Sequence, residues 1–380
     1  MMTKKERFLY AMNKAKPDCV PVTPDISNMI PCKLTRKPFW DIYLYNDPPL
    51  WQAYIDAARY FDIDPWHCSY GLIRLKPANH WDRTEKIVSK SSDRIVVAET
   101  WKTPKGNVSR ETSYLVGDPP TYTSKPIKKA TFKGDLDTWL YIQQCGEEVD
   151  DSEMLEQRIA IGDEEAFGIA VELPGFHKWI NDVQGELETI IEIMMTSPEL
   201  LDRWRQFQHD QIIAAVTKAI EYKPDYVLFG ASGAFTLASP DLFRKYTLPT
   251  LQEGTKLLKE AAIPSMLHTC GKSKGLVKIC VEETDLDCIN PLEVPPMGDC
   301  DLSELRNLYG NKIALMGNLH TTEIMLYGTP EKVEDAAKKA IDDAGKDGAF
   351  ILSTGDQCGR DTPEENIHKM VEVARTYGKY

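Results

Sequence analysis

Pro264-Ser-Met-Leu-His-Thr-Cys-Gly271 follows a helical segment, and the short apolar run Ile263 to Leu267 that leads into it reads as a buried strand. His268 and Cys270 leave the end of that strand one residue apart. In extended backbone residues i and i+2 point the same way, so the imidazole and the thiol share one face. Ser353-Thr-Gly-Asp-Gln-Cys-Gly359 has the same form: Ala349 to Ser353 is strand-like, and Cys358 follows in a glycine-containing loop. A histidine and two cysteines at the ends of two strands are three soft donors suited to Zn2+. Three protein ligands would leave a fourth position for substrate. The alternative is coincidence, since a chain with nine cysteines will sometimes set one near a histidine.

Around these stretches strand and helix alternate from residue 135 to the C-terminus. Helices are expected over 135–145, 152–158, 185–196, 198–222, 240–262, 275–283, 302–309, 330–343 and 364–376. Strands are expected at 167–171, 226–229, 263–267, 286–289, 313–316 and 349–353, each followed by a polar or glycine-bearing turn. Such alternation means parallel strands joined by helices. Val20 to Asp25 adds a strand after the amphipathic opening helix Lys4 to Lys14, and Phe61 to Tyr70 holds another candidate. Eight units favour a (β/α)8 TIM barrel over an open sheet, and no glycine-rich nucleotide loop stands in a strand–turn–helix setting.

Residues 83–134 differ. Thr84 to Ser89, Asp93 to Trp101 and Asn107 to Tyr114 alternate polar and apolar residues, with a turn at Thr103 to Asn107. They read as an antiparallel β-meander inserted near the N-terminal third of one domain spanning 1–380, covering one end of it. Residues 39–66 are rich in aromatics, and Trp51, Tyr54 and Ala58 fall at helical spacing, as core residues do.

The net charge of −13 excludes a nucleic-acid surface, which would need a basic stripe. No apolar run approaches the roughly 18 residues that span a bilayer, and the N-terminus reads directly into charged helical sequence. An odd number of scattered cysteines is unlike a disulfide framework. A reduced, cytoplasmic protein is expected.

In a barrel the active site lies at the C-terminal ends of the strands. The candidates there are Asp25, Glu172, Ser232, His268, Cys270, Asn290, Glu293, Asn318, His320 and Cys358. Glu172 and Glu293 are candidates for a fourth ligand or a base beside the metal, and Asn318 and His320 for contacts to substrate or cofactor. His67, His80, His177, His209 and His368 are read as structural, and Cys280, Cys288 and Cys300 as small buried hydrophobes.

Lys5-Glu-Arg-Phe8, Lys16-Pro-Asp-Cys-Val-Pro-Val22, Ser239-Pro-Asp-Leu-Phe243 with Pro249, Leu267-His-Thr-Cys-Gly271, Gly317-Asn318, Gly328-Thr-Pro-Glu331 and Thr362-Pro-Glu-Glu-Asn366 stand in the order seen in one family. The chain resembles the uroporphyrinogen decarboxylase superfamily, and specifically its cobalamin-dependent methyltransferase branch. That resemblance implies a zinc site of His268, Cys270 and Cys358. It implies methyl transfer between a small substrate and a corrinoid carried on a partner protein, since the chain lacks the D-x-H-x-x-G cobalamin motif. The substrate would be either a thiol acceptor bound as zinc thiolate or a methyl ether or alcohol, the latter an O-demethylation. Decarboxylase-like chemistry is the alternative, although Asp25 to Lys33 lacks the arginines that hold a porphyrinogen's carboxylates. A non-catalytic corrinoid- or metal-binding protein is the other.

Overall fold

Thirteen strands form among the described residues: β1 (Trp66–Ser69), β2 (Arg74–Pro77), β3 (Asp82–Lys90), β4 (Arg94–Thr103), β5 (Gly106–Leu115), β6 (Thr121–Ser124), β7 (Cys145–Asp150), β8 (Ala166–Glu172), β9 (Tyr226–Gly230), β10 (Ser265–His268), β11 (Cys288–Asn290), β12 (Ala314–Leu319) and β13 (Phe350–Thr354). The computed structural model describes residues 2–69 and 74–380, with the backbone only at 67–69. Tyr70, at the end of the second expected strand, and the side chain of His67 therefore lie outside the described residues.

Seven strands pair in parallel in the order β1-β8-β9-β10-β11-β12-β13, with helices between successive members. Every residue of β9 and β13 is buried, as expected of strands covered on both faces. Residues 20–23 take the next place beside β13. Thr23 N–H donates to Leu352 O and Leu352 N–H to Pro21 O, both at 2.9 Å. On the other side, Asp64 N–H donates to Val22 O at 2.8 Å, just ahead of β1. The result is an α/β fold built on a parallel sheet.

A buried ion network holds this seam. Asp64 is fully buried; it accepts from Arg7 Nη1 and Arg375 Nη1, each at 2.7 Å, and from Val22 N–H at 2.9 Å. Asp18 shares Arg7, taking its Nε–H at 2.8 Å.

Strands β3 to β6 form a separate antiparallel sheet in sequential order. The fourth strand, β6, and the β2–β7 ribbon were not expected from sequence; both are short and largely exposed, so they carry little apolar periodicity. Residues 132–134, expected in the meander, instead begin the helix Phe132–Gln143. The meander packs through its own apolar cluster, in which Trp101 and Val108 meet Trp139, Trp179, Trp204 and Tyr246. Trp179 and Trp204 stack at 5.2 Å between ring centroids.

The helix expected over 240–262 divides into Pro240–Tyr246 and Leu248–Glu260. Pro249 has no N–H to continue the first helix, and its ring would clash with the carbonyl one turn back. Thr247 at the break donates its hydroxyl to Pro174 O at 2.8 Å. No helix among the described residues is long and apolar enough to cross a membrane.

Candidate metal centre and cavity

β10 delivers His268 and Cys270 to its C-terminal end, and the loop after β13 brings Asp356 to them. One ligand atom from each of the three lies within 4.8 Å of the other two. The cluster opens into a cavity of about 840 Å3, a size typical of small-molecule sites. Asp25, Ser27, Trp66, Glu172, Ser232 and Gln357 line it with His268, Cys270 and Asp356.

The loops are locked from behind. Glu293 Oε1 accepts from Gly271 N–H at 2.6 Å, and Thr269 N–H donates to Asn290 O at 2.8 Å. Gly271 has φ +85°, and a Cβ there would come within 2.1 Å of Thr236 Oγ1. Only glycine supports this turn without strain. Gly271→Ala should therefore lower stability by about 1–3 kcal/mol and weaken metal binding. Urea unfolding together with a zinc titration checks this; an unchanged midpoint would show that the turn relaxes freely.

On the facing side, Cys358 N–H donates to Asp25 O at 2.7 Å, and Thr354 Oγ1 donates to Asp356 O at the same distance. Asp25 N–H donates to Thr354 Oγ1, and Ser27 N–H to Asp25 Oδ1, both at 2.9 Å. These bonds fix the loop that carries Asp356 against the segment that carries Asp25.

The electrostatics follow from this crowding. Burial would depress the His268 pKa, but the hydrogen bond to Cys270 and the charges of Asp25, Cys270 and Asp356 outweigh it and raise the pKa to about 9. Burial pushes the Asp25 and Glu293 carboxyls up, partly offset by His268. Burial and then Asp25 push the Cys358 thiol up to about 12. Trp66 packs beside the imidazole, with ring centroids 5.8 Å apart.

Of the residues singled out by sequence, Asp25, Glu172, Ser232, His268 and Cys270 share the cavity. Cys358 is buried two residues beyond Asp356 and is not part of the close group. Glu293 faces Gly271, and Asn290 is buried beside β10 in register with His268. Asn318 donates to Leu292 O at 2.9 Å, pinning the loop after β11. His320 caps the helical turn Thr321–Leu326, its Nδ1 accepting from Thr322 and Glu323 N–H. Asn318 and His320 both line a neighbouring hollow. Of the aromatics in 39–66 only Trp66 lines the cavity; Phe39 packs instead with Cys32 and Ile42. The meander contributes nothing to the lining among the described residues.

Asp356 was missed because the sequence reading sought soft donors; its position two residues before Cys358, in the second quoted stretch, was the available signal. Cys280, Cys288 and Cys300 are buried, and burial raises all three thiol pKa values.

The donors suit zinc. An imidazole, a thiol and a carboxylate lie within reach of one ion, and His268 Nδ1 is buried without a hydrogen-bond partner.

Residues 182–377 match the family model described as uroporphyrinogen decarboxylase (URO-D). The chain is 30% identical over 183 residues to a methylcobamide:CoM methyltransferase, MtbA, of Methanosarcina mazei, covering 47% of this chain and 49% of that protein. It is 26% identical over 189 residues to a methylated-thiol–coenzyme M methyltransferase of the same organism, covering 47% and 48%. It is also 26% identical over 188 residues to a uroporphyrinogen decarboxylase of Aromatoleum aromaticum, covering 48% and 50%. The chain spans about half the length of the curated relatives it matches. A solved structure, a methyltransferase from Methanosarcina mazei, shares the fold over 99% of both chains, with a TM-score of 0.67 at 17% identity.

Proposed function

The chain belongs to the uroporphyrinogen decarboxylase family, and from that premise we propose that it is a zinc-dependent methyltransferase acting between a small substrate and a corrinoid on a partner protein. The observation that carries this reading is the His268–Cys270–Asp356 cluster at the mouth of a cavity large enough for a small molecule. The names of the methyltransferase relatives support it.

In this reading His268, Cys270 and Cys358 would hold the metal, and Asp356 takes the place of the resting fourth donor first considered for Glu172 or Glu293, which a substrate thiol or ether oxygen would displace. Glu293 is occupied by Gly271 N–H, and Glu172 remains on the cavity wall to meet substrate. Zinc bound there would lower the pKa of a substrate thiol or polarise an ether oxygen. Glu293 and Asn318 act by position, holding the loops after β10 and β11. The same reading takes the sheet as a (β/α)8 barrel completed by residues 20–23, within one domain that includes the meander.

Decarboxylation of a polycarboxylated porphyrinogen fits poorly. Apart from His268 in the metal cluster, Lys178 is the single cationic side chain lining the cavity among the described residues, whereas Asp25, Glu172 and Asp356 are acidic.

The test is methyl transfer from free methylcobalamin to a panel of thiols, followed by demethylation of methyl ethers with reduced corrinoid protein. Turnover in either direction that requires zinc is expected. No turnover in both, by protein with zinc bound, would end this reading.

A further inference from the structure

Besides the strand ends, the cavity is lined by the helices Phe176–Trp179 and Pro198–Glu221. This helix wall is mainly apolar, with Phe207, Ile212 and Ala215 along the longer helix. Three polar side chains interrupt it: Lys178, Gln208 and Gln211. Gln208 and Gln211 are three residues apart and share one helix face.

The orientation of both amides is dictated by their partners. Gln208 Oε1 accepts from Trp179 Nε1–H at 2.7 Å, and Gln211 Oε1 accepts from Cys145 N–H at 2.7 Å. An indole N–H and a backbone N–H can only donate, so the amide oxygen must face each of them. Each Nε2 then turns away from its anchor as a donor, and neither has a protein acceptor among the described residues. Lys178 is half-buried and without an ion pair among the described residues. Asp182, one turn on, feels its charge but does not pair with it. The helix wall therefore presents an ammonium and two amide donors, while the strand-end wall presents the carboxyls of Asp25, Glu172 and Asp356.

We infer that Lys178, Gln208 and Gln211 form a subsite for the carboxylate of a small organic acid, whose apolar body lies along Phe207 and Ile212. This rests on the methyltransferase reading only in assigning the reacting end. The acidic strand-end wall repels the carboxylate and the helix wall attracts it, so the opposite, methyl-bearing or thiol end is directed to His268 and Cys270. Substrate polarity and orientation are set together.

Isothermal titration of the purified full chain tests this with two pairs of probes: 4-methoxybenzoate against methoxybenzene, and 3-mercaptopropionate against 1-propanethiol. The acid of each pair should bind on the order of tenfold or more tighter than its neutral partner, the effect of one charge-assisted hydrogen bond. Lys178→Met should remove that preference and leave neutral binding unchanged. Gln211→Glu keeps an oxygen for Cys145 N–H but replaces the donor with a carboxylate, and should also weaken acid binding at an unchanged melting temperature. Equal binding of acid and neutral probe, or a preference that survives both substitutions, would overturn the subsite. Acid preference without any methyl transfer would uphold the subsite and sink the reaction. Methyl transfer without acid preference would do the reverse.

Discussion

Cys270→Ala, purified without added metal, will contain far less than one equivalent of zinc, and its methyl transfer will fall by at least about 100-fold. Substitutions merely behind a metal ligand typically cost 10–100-fold, so loss of a ligand should cost more. His268→Ala should behave alike, because both residues leave β10 on one face. The loop after β13 supplies the sharper comparison. Cys358→Ala is expected to empty the site, whereas Asp356→Asn should keep zinc while losing roughly 10–100-fold in affinity or rate. Elemental analysis of the four variants beside wild type decides it. If Asp356→Asn empties the site and Cys358→Ala does not, the third ligand is the carboxylate already beside His268. If all four variants retain full zinc, the centre lies elsewhere.

Asp64→Ala should destabilise the protein by about 3–5 kcal/mol, the usual cost of removing one partner from a buried ion pair. The carboxylate is fully buried between Arg7 and Arg375, and it also holds Val22 N–H. Its removal leaves Arg7, itself buried, with Asp18 as its one acidic partner among the described residues, and leaves Arg375 with none. The penalty exceeds that of an exposed pair such as Lys76–Glu148, because water cannot replace the lost charge at a buried site. The segment it secures leads directly to Asp25 at the cavity, so zinc affinity should fall with stability. Urea denaturation gives the first quantity and zinc titration the second. A loss below about 1 kcal/mol would mean that the seam between residues 20–23 and β1 is held by backbone pairing alone.

Much of the scaffold was legible because its signals are local. The strand at Tyr226–Gly230 and the helix at Pro330–Ala344 announce themselves through continuous burial or 3.6-residue periodicity. Elements with weak periodicity escaped: the exposed β6 and the β2–β7 ribbon. The break at Thr247 was missed although Pro249 marks it, because buried apolar residues recur at helical spacing on both sides of it.

The sequence by itself determined the strand–helix alternation, and it placed His268 and Cys270 on one side of one strand end, because both follow from the geometry of a few neighbouring residues. Only the tertiary structure decided which residue of the 353–359 loop stands closest to that pair. That choice depends on Cys358 N–H meeting Asp25 O, a contact across more than three hundred residues of chain, and on Thr354, which accepts from Asp25 N–H and holds the carbonyl of Asp356. It likewise decided that Gln208 and Gln211 present donors to the cavity. An amide has two faces of nearly equal shape, and which one looks inward is set by the partner behind it, Trp179 for one and Cys145 for the other.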